Sequence, residues 1–291
     1  MLIECPLCGS KNADLHLRLK DYFLSKEDFE IYQCQSCGLL YTWPHFNDDD
    51  IKKYYNSDNY LSYNDNGKGM IPYIYNAVKR VNIASKFRIA TDGTQGRRLL
   101  DFGCGVGDFL CFAQRRGYDV MGSDVCFDVC QRASEKIRKP VVGPEDIFAL
   151  PDKSFDIITM WHVLEHVSNL KMLAGQIDRL LANGGRLVVA LPNYQSYDAQ
   201  HYKDKWAAYD VPRHQSHFNQ KSLRKVFAGT ELQFIGVHPL KWDAYYISIV
   251  SEGYAEHRNA FVKGVLNGFK SNCNARRNGQ YSSLVYIFEK E

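Results

Sequence analysis

The chain has 291 residues, 45% hydrophobic and 24% charged, with a formal net charge of +3. This is globular composition, long enough for one large domain or two smaller ones, with no apolar run near the ~18 residues of a membrane span and too little Gly and Pro for a disordered chain. Near-neutral charge excludes wholesale polyanion binding, and nine cysteines behind an amino terminus (MLIECP) without export-signal character imply reduced thiols, a cytoplasmic setting and no membrane partner.

Two copies of one device open the chain: Cys5-Pro-Leu-Cys8-Gly9 and Cys34-Gln-Ser-Cys37-Gly38. A C-x-x-C turn puts two thiolates on one side of a tight loop, and the following glycine lets the chain double back. Two such turns supply four soft ligands, the closed tetrahedral set of a structural zinc. Residues 1–50 hold four Lys/Arg against nine Asp/Glu, a net −5, which leaves +8 on the rest. Phosphate backbones are bound by cations. A zinc ribbon of this sign is expected to contact protein rather than nucleic acid.

From Asp48 the chain is polar and tyrosine-rich (Tyr54, Tyr55, Tyr60, Tyr63, Tyr73, Tyr75), and the spacing of Ile74, Val78, Val81 and Ala84 predicts a helix over 71–89. Strand and helix then alternate. Arg98–Phe102 reads as a buried strand before Gly103-Cys-Gly105-Val-Gly107 and an apolar helical stretch. Tyr118–Asp124, Val141-Val142, Phe155–Trp161 and Arg186–Leu191 read as further strands. Leu170, Leu173, Ala174, Ile177, Leu180 and Leu181 form a helical face stopped by Gly184-Gly185. Alternating units of this length predict an α/β, Rossmann-like, mostly parallel sheet with helices on both faces, whose ligands sit at the carboxyl ends of strands.

The glycine loop departs from the dinucleotide pattern: its third glycine, Gly107, comes one position early, and Asp101 stands at its mouth. An acid there repels a pyrophosphate and attracts a cationic amino acid group. Asp124, ending the second strand, is placed to accept both ribose hydroxyls. Asp146, after the third, could accept from an adenine amino group, with Ile147 against the ring. Singly each acid reads as a helix cap or loop acid; three at consecutive strand ends favour a nucleoside ligand without phosphate.

These residues resemble the class I S-adenosylmethionine-dependent methyltransferases. Leu99-Leu-Asp-Phe-Gly-Cys-Gly-Val-Gly-Asp108 is similar to their first motif, Gly122-Ser-Asp124 to their acidic second strand end, and Asp146-Ile147 with Leu150-Pro151 and Phe155-Asp156 to their adenine-side segment. His162-Val-Leu-Glu-His166-Val resembles the string common in small-molecule members, and Leu181-Ala-Asn-Gly-Gly-Arg-Leu with Pro192-Asn193 the fifth-strand motif. The resemblance implies that Asp101, Gly103 and Gly105 hold the methionine end of S-adenosylmethionine, Asp124 the ribose, and Asp146 and Ile147 the adenine. It also implies a seven-stranded sheet whose antiparallel last strand, Ser283–Phe288, pairs with Leu232–Val237.

Pro212-Arg-His214-Gln-Ser-His217-Phe218 resembles an acceptor-side loop of the same group. The predicted organisation is a zinc ribbon over 1–47, a Tyr-rich linker and helix over 48–95, and a methyltransferase domain over 96–291. That domain carries an acceptor loop at 194–230 and a helical cap insertion at 241–281, whose Arg258, Lys263, Lys270, Arg276 and Arg277 read as a solvated face. A hydroxyl or amine acceptor benefits from a base of near-neutral pKa, which makes His162 and His214 the candidate catalytic residues. Glu165 and His166 resemble a metal-binding pair of some quinone methyltransferases. The expected function is S-adenosylmethionine-dependent methylation of a small molecule, at oxygen. An RNA methyltransferase using the ribbon, and a catalytically silent scaffold, are the alternatives.

Overall fold

The structure, a computed structural model, describes residues 3–55 and 70–291, with 70–80 as backbone alone. Tyr60 and Tyr63 lie outside the described residues, as do the side chains of Tyr73 and Tyr75. Two sheets organise the chain. The larger has seven strands: β4 (Arg98–Phe102), β5 (Asp119–Ser123), β6 (Val141–Val142), β7 (Phe155–Trp161), β8 (Leu181–Pro192), β10 (Leu232–Pro239) and β11 (Ser283–Lys290). Their order is β10-β11-β8-β7-β4-β5-β6, and only β11 runs against the rest. This is the Rossmann-like, mostly parallel sheet expected from the sequence.

Alternation along the central strands explains the layering, because successive side chains leave a strand on opposite faces. Leu99, Ile157, Val188 and Ala190 pack with Phe109 and Leu110 of α2 (Asp108–Gln114) and Ala133 of α3 (Phe127–Ile137). Leu100, Ile158, Met160, Leu187 and Val189 pack on the other side, with Ile147 of α4 (Pro144–Phe148) and Leu173 and Ile177 of α5 (Leu170–Leu180). The 22-residue α1 (Met70–Thr91) precedes the sheet. Strand order reverses at β4, which is flanked by β5 and β7. Open α/β sheets bind ligands at such a switch point.

One boundary differs from the sequence reading. Leu181 begins β8 instead of completing the helical face, and the glycine pair does not stop the helix. Leu181 pairs with Phe155, and Gly184, at φ +70°, lies within the register shift that follows. Strand pairing ends α5 before the glycines are reached.

The smaller sheet joins β1 (Ala13–Lys20), β2 (Asp28–Cys34) and β3 (Leu40–Trp43) to β9 (Ser216–His217), in that order. Leu40 pairs with His217 and Tyr41 with Ser216. Cys5, Leu7, Leu39 and Tyr41 share one core with the large sheet, and Phe29, Ile31 and Tyr54 pack with Tyr202, Trp206 and Tyr209. The amino-terminal strands are thus built onto the segment 194–230. Beyond them, α6 (Tyr197–Tyr202) and α7 (Gln220–Val226) frame that segment, and α8 (Asp243–Tyr254) with α9 (Ala260–Asn278) forms a hairpin between β10 and β11. Among the described residues no helix is long and apolar enough to cross a membrane.

Candidate functional site

The loop after β4 lines a cavity of about 250 Å³ with Asn82, Lys86, Asp101, Gly103, Gly105 and Trp161 on its walls. Gly103 and Gly105 adopt φ of +74° and +53°, the left-handed region that glycine occupies without a side-chain clash. At Gly103 a Cβ would meet Val163 Cγ2 at 2.3 Å, whereas at Gly105 nothing lies within 4 Å. The first glycine lets the loop pass close to Val163, just beyond β7; the second leaves open space at the cavity lining.

Asp101, next to last in β4, is almost wholly buried and accepts a 2.6 Å hydrogen bond from Thr159 Oγ1. Burial pushes its carboxyl up to about 7, against the opposing pull of that bond and of Lys86. A buried carboxylate lining a cavity is complementary in charge to a cation. Lys86, from α1, stands 4.8 Å over the Trp161 ring, and burial lowers its pKa. Asp124 is half-buried; its Oδ2 accepts from Gly105 N at 3.0 Å and its Oδ1 from Cys126 N at 3.1 Å. It ties the glycine loop to β5 and keeps lone pairs for further donors. Asp146 lies exposed in the first turn of α4, while Ile147 is fully buried in the core. Neither lines the cavity.

The second cluster lies beyond β7. His162, at φ +60°, places Nε2 3.0 Å from Asp243 Oδ2 and Nδ1 3.4 Å from Glu165 Oε1. Burial opposes its charge, but the two carboxylates outweigh burial and raise it to about 9. His214 and His166 are held differently. His214 Nδ1 donates to Ala208 O at 2.9 Å, and His166 Nδ1 donates to Arg213 O at 3.0 Å beside Tyr55 Oη at 2.9 Å. A carbonyl can only accept, so each ring presents an Nδ1–H to it, which turns Nε2 away from that carbonyl. Donor atoms of Glu165, His166 and His214 gather within 4.8 Å of one another, and neither Glu165 oxygen accepts a hydrogen bond. Burial and the neighbouring His214 push His166 down to about 4.

Arg213 fixes this loop. Fully buried, it reaches Asp21 Oδ1 at 2.8 Å, Asp210 Oδ1 at 2.7 Å and Tyr54 O at 3.1 Å. Asp21 also accepts from the backbone of Phe23, Leu24 and Ser25. Burial alone would raise its pKa; Arg213 and those N–H groups pull it down to about 2.

The four amino-terminal cysteines converge, with Sγ atoms 3.6 Å apart for Cys5 and Cys37 and 3.5 Å for Cys8 and Cys34. Zinc at ~2.3 Å from each sulfur requires tetrahedral edges of about 3.8 Å, so the donor set fits. Gly9 and Gly38, at φ +71° and +79°, make the two turns. Sequence reasoning missed Lys86 and Asp243, and gave no role to Trp161, which ends a predicted strand, or to Arg213, which stands within the acceptor-side loop.

A family model described as a methyltransferase domain matches residues 77–236. The ubiquinone biosynthesis O-methyltransferase of Psychrobacter cryohalolentis is 30% identical over 131 residues, 42% of this chain and 51% of that one. The demethylmenaquinone methyltransferase of Tropheryma whipplei is 34% identical over 102 residues, 33% of this chain and 42% of that one. The chain thus spans about half the length of the curated relatives it matches. Among solved structures, the geranyl diphosphate C-methyltransferase of Streptomyces coelicolor superposes with a TM-score of 0.54 at 16% identity, covering 84% of this chain and 97% of that one. A sarcosine dimethylglycine methyltransferase homologue from Galdieria sulphuraria gives 0.53 at 15%, covering 84% and 99%. At these identities the structures speak to the fold alone.

Proposed function

The chain belongs to the class I S-adenosylmethionine-dependent methyltransferase family, and on that premise we propose that it transfers the methyl group of S-adenosylmethionine to a hydroxyl of a small-molecule acceptor. The observation that carries this reading is Asp101, a buried carboxylate at the switch point facing an open cavity, complementary to an ammonium group. Asp101 would take the amino group of the methionine moiety, Lys86 its carboxylate, Gly103 and Gly105 the approach of its backbone, and Asp124 the ribose hydroxyls. The adenine would lie toward α4, where the exposed Asp146 is the candidate for its amino group and Ile147 supports the wall from the core.

The donor carries its own activation, so the protein supplies alignment and exclusion of water. His214, on the acceptor-side loop with its Nδ1 fixed on Ala208 O, is the group assigned to take the acceptor's proton. His162, held between two carboxylates, is cationic at neutral pH and positions Asp243 and Glu165. The relatives named as ubiquinone-pathway O-methyltransferases support oxygen as the target atom. The four cysteines would hold one structural zinc, and with an acidic surface around them a protein contact suits this module better than RNA.

A second reading of the acceptor side is a divalent cation on Glu165, His166 and His214. It is supported by two imidazoles whose Nδ1 atoms face backbone carbonyls and by one donor atom from each of the three residues lying within 4.8 Å of the others, although Glu165 also faces His162 at 3.4 Å. The test of both is transfer from 13C-methyl S-adenosylmethionine to a panel of hydroxylated, aminated and RNA acceptors, with and without Mg2+ or chelator. Carbon shifts of methyl ethers in the small-molecule panel support the reading. Label on nitrogen, carbon or RNA overturns it, and abolition by chelator favours the cation.

A further inference from the structure

Helix α9 is inside out. Its buried face consists of Gly264, Asn267, Gly268, Ser271, Asn272 and Ala275. Its solvent face carries Phe261, Val262, Leu266 and Phe269, each more than half exposed, with Val265 beside them. A surface helix of a globular protein normally shows the reverse. The inversion has a structural basis. A Cβ at Gly264 would lie 2.5 Å from Ile249 Cα, and one at Gly268 2.7 Å from Tyr245 Cα, so the two glycines, four residues apart, let α9 rest on the backbone of α8. The polar inner side chains find partners on several elements: Asn267 Nδ2 donates to Glu252 Oε1 of α8 at 2.8 Å, Ser271 Oγ to Asp198 of α6 at 2.7 Å and Asn272 Nδ2 to Lys241 O, just before α8, at 2.9 Å, while Asn272 Oδ1 accepts none. Small residues and polar pairs inside with apolar residues outside is how helices pack when their outer surface meets lipid.

The charges agree. Helix α9 contains Lys263, Lys270, Arg276 and Arg277 and no acid. Lys263, Lys270 and Arg277 recur every seven residues, which aligns them along one edge of the apolar stripe. From Phe261 to Phe269 the stripe is about 12 Å long, far too short to span a bilayer but suited to lie along its surface.

We propose that the α8–α9 hairpin docks this protein on an anionic lipid surface, with Phe261, Val262, Leu266 and Phe269 entering the interface and the basic row meeting the headgroups. The sequence-based expectation of no membrane partner concerned spanning segments; a docking face escapes it because the exposed residues lie on a helix whose buried side is polar. A second copy of the chain is the weaker occupant, since a two-fold contact would bring the same cations together with no acid on α9 to answer them. The inference goes beyond the proposed activity and holds whatever the acceptor. The hairpin is fastened to the candidate site through Asp243, the first residue of α8, which bonds His162.

Co-sedimentation of the full chain with phosphatidylcholine vesicles, and with vesicles in which about a third of the lipid is phosphatidylglycerol, tests this. Binding is expected to the anionic vesicles and to weaken at least tenfold, roughly, in both Phe261→Ser/Phe269→Ser and Lys263→Glu/Lys270→Glu, with unchanged circular dichroism. Absence of binding, equal binding to both lipids, or unimpaired binding by either variant overturns the proposal. So does a dimer in sedimentation velocity that the phenylalanine substitutions dissolve.

Discussion

Asp101→Asn separates the cost of the buried carboxylate from its use. Asparagine keeps the shape and an oxygen to accept the Thr159 hydroxyl, so the substitution removes the charge and little else. In the folded protein burial lifts the Asp101 carboxyl from about 4 to about 7, which corresponds to at most about 4 kcal/mol of lost stability once the group is ionised. The sign follows from the raised pKa: the penalty is absent below about pH 4, grows as pH rises, and is complete above about 7. Without ligand, the variant should match the wild type near pH 4 and unfold several degrees higher at pH 7.5 in calorimetry. Binding should go the other way. The ligand's amino group, with a pKa near 7.7–8.0, is a cation throughout the acid range, so wild-type affinity for S-adenosylmethionine should fall about tenfold for each pH unit below about 7. The variant should bind more weakly at pH 7.5 and lose that acid limb. Wild-type affinity that stays flat from pH 7 to 5, or a variant less stable than wild type at pH 7.5, refutes the reasoning.

Other substitutions probe the remaining parts. Asp21→Asn deprives the buried Arg213 of a partner and should cost about 3–5 kcal/mol in denaturant unfolding; because the folded pKa of Asp21 is depressed to about 2, the wild type should lose about 2 kcal/mol as pH falls from about 4 to 2, and the variant should not. Metal analysis should find about one zinc per chain, abolished in Cys34→Ser together with a lowered unfolding temperature, since the cysteines share the core of the large sheet. His214→Ala should lower kcat about a hundredfold or more if that ring takes the proton. His162→Gln should act mainly on KM, and the rate should show no titration of His162 near pH 7, since its pKa lies at about 9.

The strands Arg98–Phe102 and Phe155–Trp161 were legible because buried parallel strands are short, continuous apolar runs, and the residues read from them coincide with those that pair. Asp101, near the carboxyl end of β4, and Asp124, just after β5, were legible because this fold puts ligands at strand ends. What escaped depends on residues far apart in the chain. Nothing local marks Lys86, on α1, as the cation beside Asp101, or Asp243 as the partner that makes His162 a cation 81 positions away. The two-residue β9 is too short for periodicity to register; its pairing with β3 shows only when the loop is folded. The helical cap and the solvated basic residues of 241–281 were legible, but the exposed apolar face of α9 was not, because close backbone contact at Gly264 and Gly268 decides which face turns inward.

Titration calorimetry of the full chain with S-adenosylmethionine at pH 7.5, wild type against Asp124→Ala, asks whether the chain binds this cofactor at the ends of β4 and β5. The Asp124 carboxylate fastens Gly105 and is assigned two ribose hydroxyls, and charged hydrogen bonds of that kind are worth roughly 1.5–3 kcal/mol each. One site per chain is expected in the wild type, and affinity lowered about a hundredfold or more in the variant. No binding by the wild type, or equal binding by both, would contradict it.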